Sequence, residues 1–112
     1  MKNNIKNKKV QNLSQKLLAF EQILQIMEDL RAQCPWDKKQ TIESLRILTI
    51  EEMYELVDAI TEGDMKGIEE ELGDLLLHII FYAKLGEELG AFDMTSIIER
   101  LSAKHIHRHP HI

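Results

Sequence analysis

The sequence predicts an all-α domain. Only two prolines and five glycines occur in 112 residues, so few positions break a helix. The chain is rich in Leu, Ile, Glu and Lys, which lose little side-chain freedom in helices. Apolar residues also recur at spacings of three and four along much of the chain, which is one face of a helix. A length of 112 residues suits one domain, and a domain this short buries a limited share of its surface and gains stability by pairing with a copy of itself. The expected architecture is a four-helix bundle-like fold assembled as a homodimer.

Residues 1–11 are basic and poor in apolar side chains, so they are expected to form a disordered, solvated arm ahead of a domain over 12–112. Leu13, Leu17, Phe20, Leu24 and Met27 then line one helical face, predicting a first helix over about 12–32. Gln33-Cys34-Pro35-Trp36-Asp37 breaks that pattern, because proline lacks an N–H and disfavours helix in the residue before it. Thr41 is a fit N-cap for a second helix over about 42–62, which carries Leu45, Leu48, Leu56 and Ala59 and ends at Gly63. Asp64 caps the third, whose apolar density from Leu72 to Leu85 marks it as the most buried element, with Gly90 ending it. Phe92, Asp93 and Ile97 stand where a hydrophobic staple surrounds an N-cap, starting a fourth helix over about 94–107.

The formal charge of −5 argues against a surface that wraps nucleic acid, where a basic stripe is expected. The single cysteine, Cys34, has no partner for an intramolecular disulfide and fits a reducing compartment. Polar residues Gln11, Asn12, Ser14, Gln15 and Lys16 stand where a signal peptide needs an apolar core. The apolar run Leu75–Ala83 is too short to span a bilayer and contains His78. A cytoplasmic protein without a membrane or nucleic-acid partner is expected.

At about 100° per residue, Glu52 and Glu55 fall in the same sector of the second helix as Leu45, Leu48, Leu56 and Ala59. On the third helix Glu71 and Asp74 fall among Leu75, Phe81, Tyr82 and Leu85, with His78 alongside. A buried lone carboxylate costs several kcal/mol or changes its pKa, so such groups pair with cations or bind metal. Between Glu51 and Tyr82 stand ten acids and one basic residue, Lys66, so the missing positive charge points to a bound ion. All-oxygen ligands suit Mg²⁺, or Mn²⁺, more than Zn²⁺. Acids at i and i+3 on one helix usually form only a solvated face. Two such pairs on two apolar faces, with almost no compensating base, reverse that preference. His78, one turn after Asp74, reads as a satisfied core or outer-shell histidine rather than a ligand.

Glu51-Glu52-Met53-Tyr54-Glu55, followed after fifteen residues by Glu71-Leu72-Gly73-Asp74, resembles the EExxE…ExxD signature of the MazG family of all-α nucleoside triphosphate pyrophosphohydrolases. Cys34-Pro35-Trp36-Asp37 with Gln40-Thr41, Gly90-Ala91-Phe92-Asp93 and Arg108-His109-Pro110-His111 also resemble segments of that family in the right order. The likeness runs from about residue 20 to the end. It implies that Glu52, Glu55, Glu71 and Asp74 coordinate Mg²⁺, with Glu51 a nearby acid, either an outer-shell partner or an aid to water activation, and with Glu51 and Glu52 as the catalytic candidates. It implies hydrolysis between the α and β phosphates of a ribo- or deoxyribonucleoside triphosphate, giving a monophosphate and pyrophosphate in nucleotide-pool housekeeping. Lys104 and Arg108, four apart on the last helix, resemble the family's basic pair at the triphosphate; Lys38 is a weaker candidate for the same work, and Trp36 is a candidate either for stacking on a base or for packing between helices. Many members of the family continue past the RHPH segment, often with more helix.

A competing reading from another class is a non-catalytic, metal-binding helical module with a regulatory or interaction role. A carboxylate-bridged iron protein is disfavoured because the candidate helices lack a Glu-x-x-His pair. Related all-α hydrolases of dUTP or phosphoribosyl-ATP share the acidic signature, but the CPWD and RHPH segments favour MazG. His105, His107, His109 and His111 form a tail able to take up a transition metal without any catalytic role.

Overall fold

The computed structural model describes the backbone of residues 2–111 and the side chains of residues 11–111. Five α-helices and no strand occur among the described residues: α1 Lys2–Gln33, α2 Pro35–Lys39, α3 Ile42–Glu62, α4 Met65–Glu88 and α5 Met94–Arg108. None is long and apolar enough to cross a membrane. The chain divides into two compact units, one up to Lys38 and one from Lys39 onward.

In the first unit, α1 starts at Lys2 rather than near residue 12, so helical backbone covers the segment expected to be a disordered arm. No Gly or Pro interrupts residues 2–12, and Lys favours helix even where apolar periodicity is missing. The apolar stripe is buried unevenly: Leu13 and Leu17 are exposed, Phe20 and Leu24 half-buried, and Met27 buried. The second departure is α2, a helix of five residues where a loop was expected. Proline ends α1 but is suited to the first position of the next helix, where its missing N–H is not needed. The Cys34 carbonyl accepts from Lys38 N–H at 2.9 Å. Arg31 Nη1 donates to the carbonyls of Asp37 and Lys38, each at 2.7 Å, satisfying orphan acceptors at the end of α2.

The second unit holds α3, α4 and α5. The expected boundaries of α3 are met because Thr41 accepts from Ser44 N–H while Ser44 Oγ accepts from Thr41 N–H, a reciprocal cap. At the other end Gly63 takes φ 68°, and the Gly63 and Asp64 amides return to the carbonyls of Ile60 and Ala59 at 3.1 Å. Asp64 Oδ1 then accepts from Gly67 N–H at 3.0 Å. Two residues thus reverse the chain, and α3 and α4 pack against each other. The core comprises Leu45 and Ala59 from α3 with Ile80, Phe81, Ala83 and Leu85 from α4. The last element is tied by Gly90 at φ 69°, the bond from Ala91 N–H to Gly86 O at 2.9 Å and an Asp93–Ser96 cap.

Gly86 is buried, and a Cβ there would collide with the Phe92 ring. Gly86→Ala should therefore destabilise the chain by about 1–3 kcal/mol through overpacking. At Gly73 an added Cβ meets nothing, so Gly73→Ala should be neutral or up to about 1 kcal/mol stabilising from helix propensity. Urea unfolding of the two variants checks both signs.

Candidate metal centre

The carboxylates lie where α3 and α4 face each other. Glu52 follows Leu45 by two turns, so it shares the side that packs on α4; Glu71 shares the sector of Phe81 and Leu85 on α4. Glu52, Glu55 and Glu71 each offer an oxygen, and the three oxygens lie within 4.8 Å of one another. Glu52 and Glu71 are half-buried and Glu55 is exposed, so the cluster has a closed side and an open one. Asp74, exposed on α4, is near enough for its charge to act on Glu52.

Two oxygens, Glu52 Oε1 and Glu71 Oε2, are fully buried and find no hydrogen-bond donor among the described residues. Buried carboxylate oxygens without donors are costly. The Glu52 carboxyl is pushed up from 4.5 to about 8 by burial first, then by sharing a hydrogen bond with Glu71 and by the negative charges of Glu71, Asp74 and Glu55. One proton held between the two carboxyls relieves the repulsion in the absence of a cation. A divalent cation relieves it more completely, because it serves three or more oxygens at once. The donor set, all carboxylate, fits a hard divalent ion that keeps some waters on the open side.

The residues proposed from sequence fall into groups. Glu52, Glu55 and Glu71 converge, Asp74 adjoins them, and Glu51 is exposed on α3 one residue from Glu52. Lys104 and Arg108 are exposed on α5, one turn apart. Trp36, 53% exposed, and Lys38 lie on α2 in the other unit. His78 is half-buried, and its Nδ1 is 2.9 Å from Thr49 Oγ1, which makes it a satisfied interhelical histidine. Thr49 and Tyr82, joined at 2.6 Å, were missed by the sequence reading. The available signal was that Thr49 precedes Glu52 by three residues and Tyr82 follows His78 by four, in the same packed sectors.

The chain is similar to known proteins. Residues 40–112 match the MazG nucleotide pyrophosphohydrolase domain. The chain is 47% identical over 97 residues to the nucleoside triphosphate pyrophosphohydrolase/pyrophosphatase MazG of Thermotoga maritima, covering 85% of this chain and 38% of that protein. It is 43% identical over 96 residues to the nucleoside triphosphate pyrophosphohydrolase of Escherichia coli K12, covering 83% and 36%. The chain thus spans a little over a third of the length of these two relatives. Among solved structures, a mazG-related protein from Thermotoga maritima superposes with a TM-score of 0.73 at 32% identity, over 80% of this chain and 79% of that one.

The raised carboxyl gives a pH signature. Glu52 holds its proton more tightly folded than unfolded, so its contribution to stability is fully present below about 4.5 and is lost as pH rises to about 8. In EDTA the urea midpoint should fall across that window; Glu52→Gln should flatten the fall, and a divalent ion should oppose it. A metal-free wild-type midpoint that stays level over the window would contradict this electrostatic account.

Proposed function

The chain belongs to the MazG nucleotide pyrophosphohydrolase family, and from that premise we propose that it hydrolyses nucleoside triphosphates to nucleoside monophosphate and pyrophosphate with Mg²⁺, or Mn²⁺, in the cytoplasm. The observation that carries the reading is the cluster of three converging carboxylates with two buried oxygens that lack donors. Glu52, Glu55, Glu71 and Asp74 are the residues that would hold the ion. When bound, the ion supplies positive charge for the phosphate oxygens and lowers the pKa of a water.

The chain's own residues do the rest. Glu51, exposed beside Glu52, accepts the proton of the attacking water. The water oxygen bonds to the α phosphorus as the bridging bond to the β phosphate breaks, and pyrophosphate carries off the electron pair. Lys104 and Arg108 meet triphosphate charge, arginine through paired donors. The family resemblance suggests Lys38 as a further cation and Trp36 as a base-stacking ring.

Self-association is part of the reading. Ile50, Tyr54 and Val57 on α3 and Leu72, Leu76 and Ile79 on α4 are all more than 40% exposed. Such apolar stripes mark an interaction surface, and a second copy of this chain is the occupant that a small domain most needs. A homodimer follows, with no nucleic-acid partner expected from a charge of −5.

Pyrophosphate release from a panel of ribo- and deoxyribonucleoside triphosphates, with Mg²⁺ and with EDTA, tests the activity. Release that depends on the metal and falls by about 10³-fold or more in Glu52→Gln is expected, in line with losing a central metal ligand. No release from a folded, metal-binding chain would favour a non-catalytic module. Light scattering of an Ile50→Glu, Leu76→Glu double variant should give half the wild-type mass if these stripes form the dimer.

A further inference from the structure

The α3–α4 interface carries a second polar layer that the proposed chemistry leaves unused. Thr49 Oγ1 lies 3.1 Å from the Leu45 carbonyl, 2.9 Å from His78 Nδ1 and 2.6 Å from Tyr82 Oη. Thr49 precedes Glu52 by three residues, and His78 follows Asp74 by four. One turn back along α3 is therefore matched by one turn forward along α4, so the hydroxyl layer adjoins the carboxylate layer.

Donor counting fixes the hydrogens. A hydroxyl has one proton and two acceptor positions. The Leu45 carbonyl has no hydrogen to give, so the Thr49 proton points to it. His78 must then donate through Nδ1–H, and Tyr82 through its O–H, into the two remaining positions on Thr49 Oγ1. Any other assignment leaves one of the three short contacts without a hydrogen.

We propose that Thr49 is a positioning residue of the metal centre. Its hydroxyl, aimed by the backbone of α3, receives two donors from α4 and sets the spacing at which Glu71 and Asp74 meet Glu52 and Glu55. Unneutralised carboxylates push the two helices apart, and the Thr49 layer adds side-chain hydrogen bonds across the interface, one turn from the acids, that resist them. Groups that orient metal ligands from outside the coordination sphere commonly change metal affinity when removed. The proposal rests on the reading of the acids as a metal centre.

The test is calorimetric titration of the full chain with Mn²⁺, beside the urea midpoint in EDTA. Thr49→Val removes the hydroxyl and keeps the shape; Thr49→Ser keeps the hydroxyl. Thr49→Val should weaken Mn²⁺ binding by about 10-fold or more, and Thr49→Ser should restore most of it. Nitrogen-15 NMR should find the His78 proton on Nδ1 in wild type and Thr49→Ser, with that preference lost in Thr49→Val. Unchanged Mn²⁺ affinity in Thr49→Val with only a lower urea midpoint would overturn the proposal alone, as would Thr49→Ser as weak as Thr49→Val. If Thr49→Val does not fold, Tyr82→Phe decides: weakened Mn²⁺ binding supports the proposal and wild-type binding overturns it. Failure of the wild-type chain to bind Mn²⁺ would overturn the metal centre and this proposal together.

Discussion

Negative charge packed between α3 and α4 is the constraint from which the rest follows: the charges of Glu71, Asp74 and Glu55 all act against that of Glu52. Glu52 and Glu71 place oxygens at the α3–α4 interface where no donor reaches them, and Glu55 and Asp74 add charge at the open side. Hydrophobic burial alone would favour apolar residues at those positions. The helices remain packed because Leu45 on α3 and Ile80, Phe81, Ala83 and Leu85 on α4 are buried, with Ala59 buried near Gly67 by the turn, and because the turn at Gly63–Asp64 leaves little freedom in their register. The apolar end of the hairpin thus bears the cost of its acidic middle. That division suits the proposed centre, whose acids a bound ion would hold together.

Helix ends were legible in the sequence where a cap carried them. Thr41, Gly63, Asp64 and Asp93 each satisfy backbone groups that would otherwise be orphaned, and each occupies the expected position. The start of α1 was not legible, because Asn3, Asn4 and Asn7 are poor helix formers and the regular apolar spacing begins only at Leu13. Nor was α2, since Pro35 reads equally as the end of one helix and the first residue of another. The convergence of Glu52, Glu55 and Glu71 was legible because both helices carry acids in apolar sectors, so any packing of those sectors brings the acids together. Thr49 with His78 and Tyr82 was not, because three neutral side chains carry no pattern until the register of the two helices is known.

Membership of the MazG family rests on residues 40–112, the stretch that holds every carboxylate of the cluster. The domain forms a bit more than a third of the Thermotoga and Escherichia coli proteins that it resembles. The acids are contained in the segment that folds around α3 and α4. The aromatic and basic residues assigned to the substrate are spread over α2 and α5.

The most direct test is a crystal structure of the chain grown with Mn²⁺ and measured for anomalous scattering. The account predicts an anomalous peak within coordinating distance of Glu52, Glu55 and Glu71, with Asp74 alongside and waters completing the shell. A well-ordered hairpin with its carboxylates together and no peak among them, or a peak only at the histidines near the C-terminal end of α5, would contradict it.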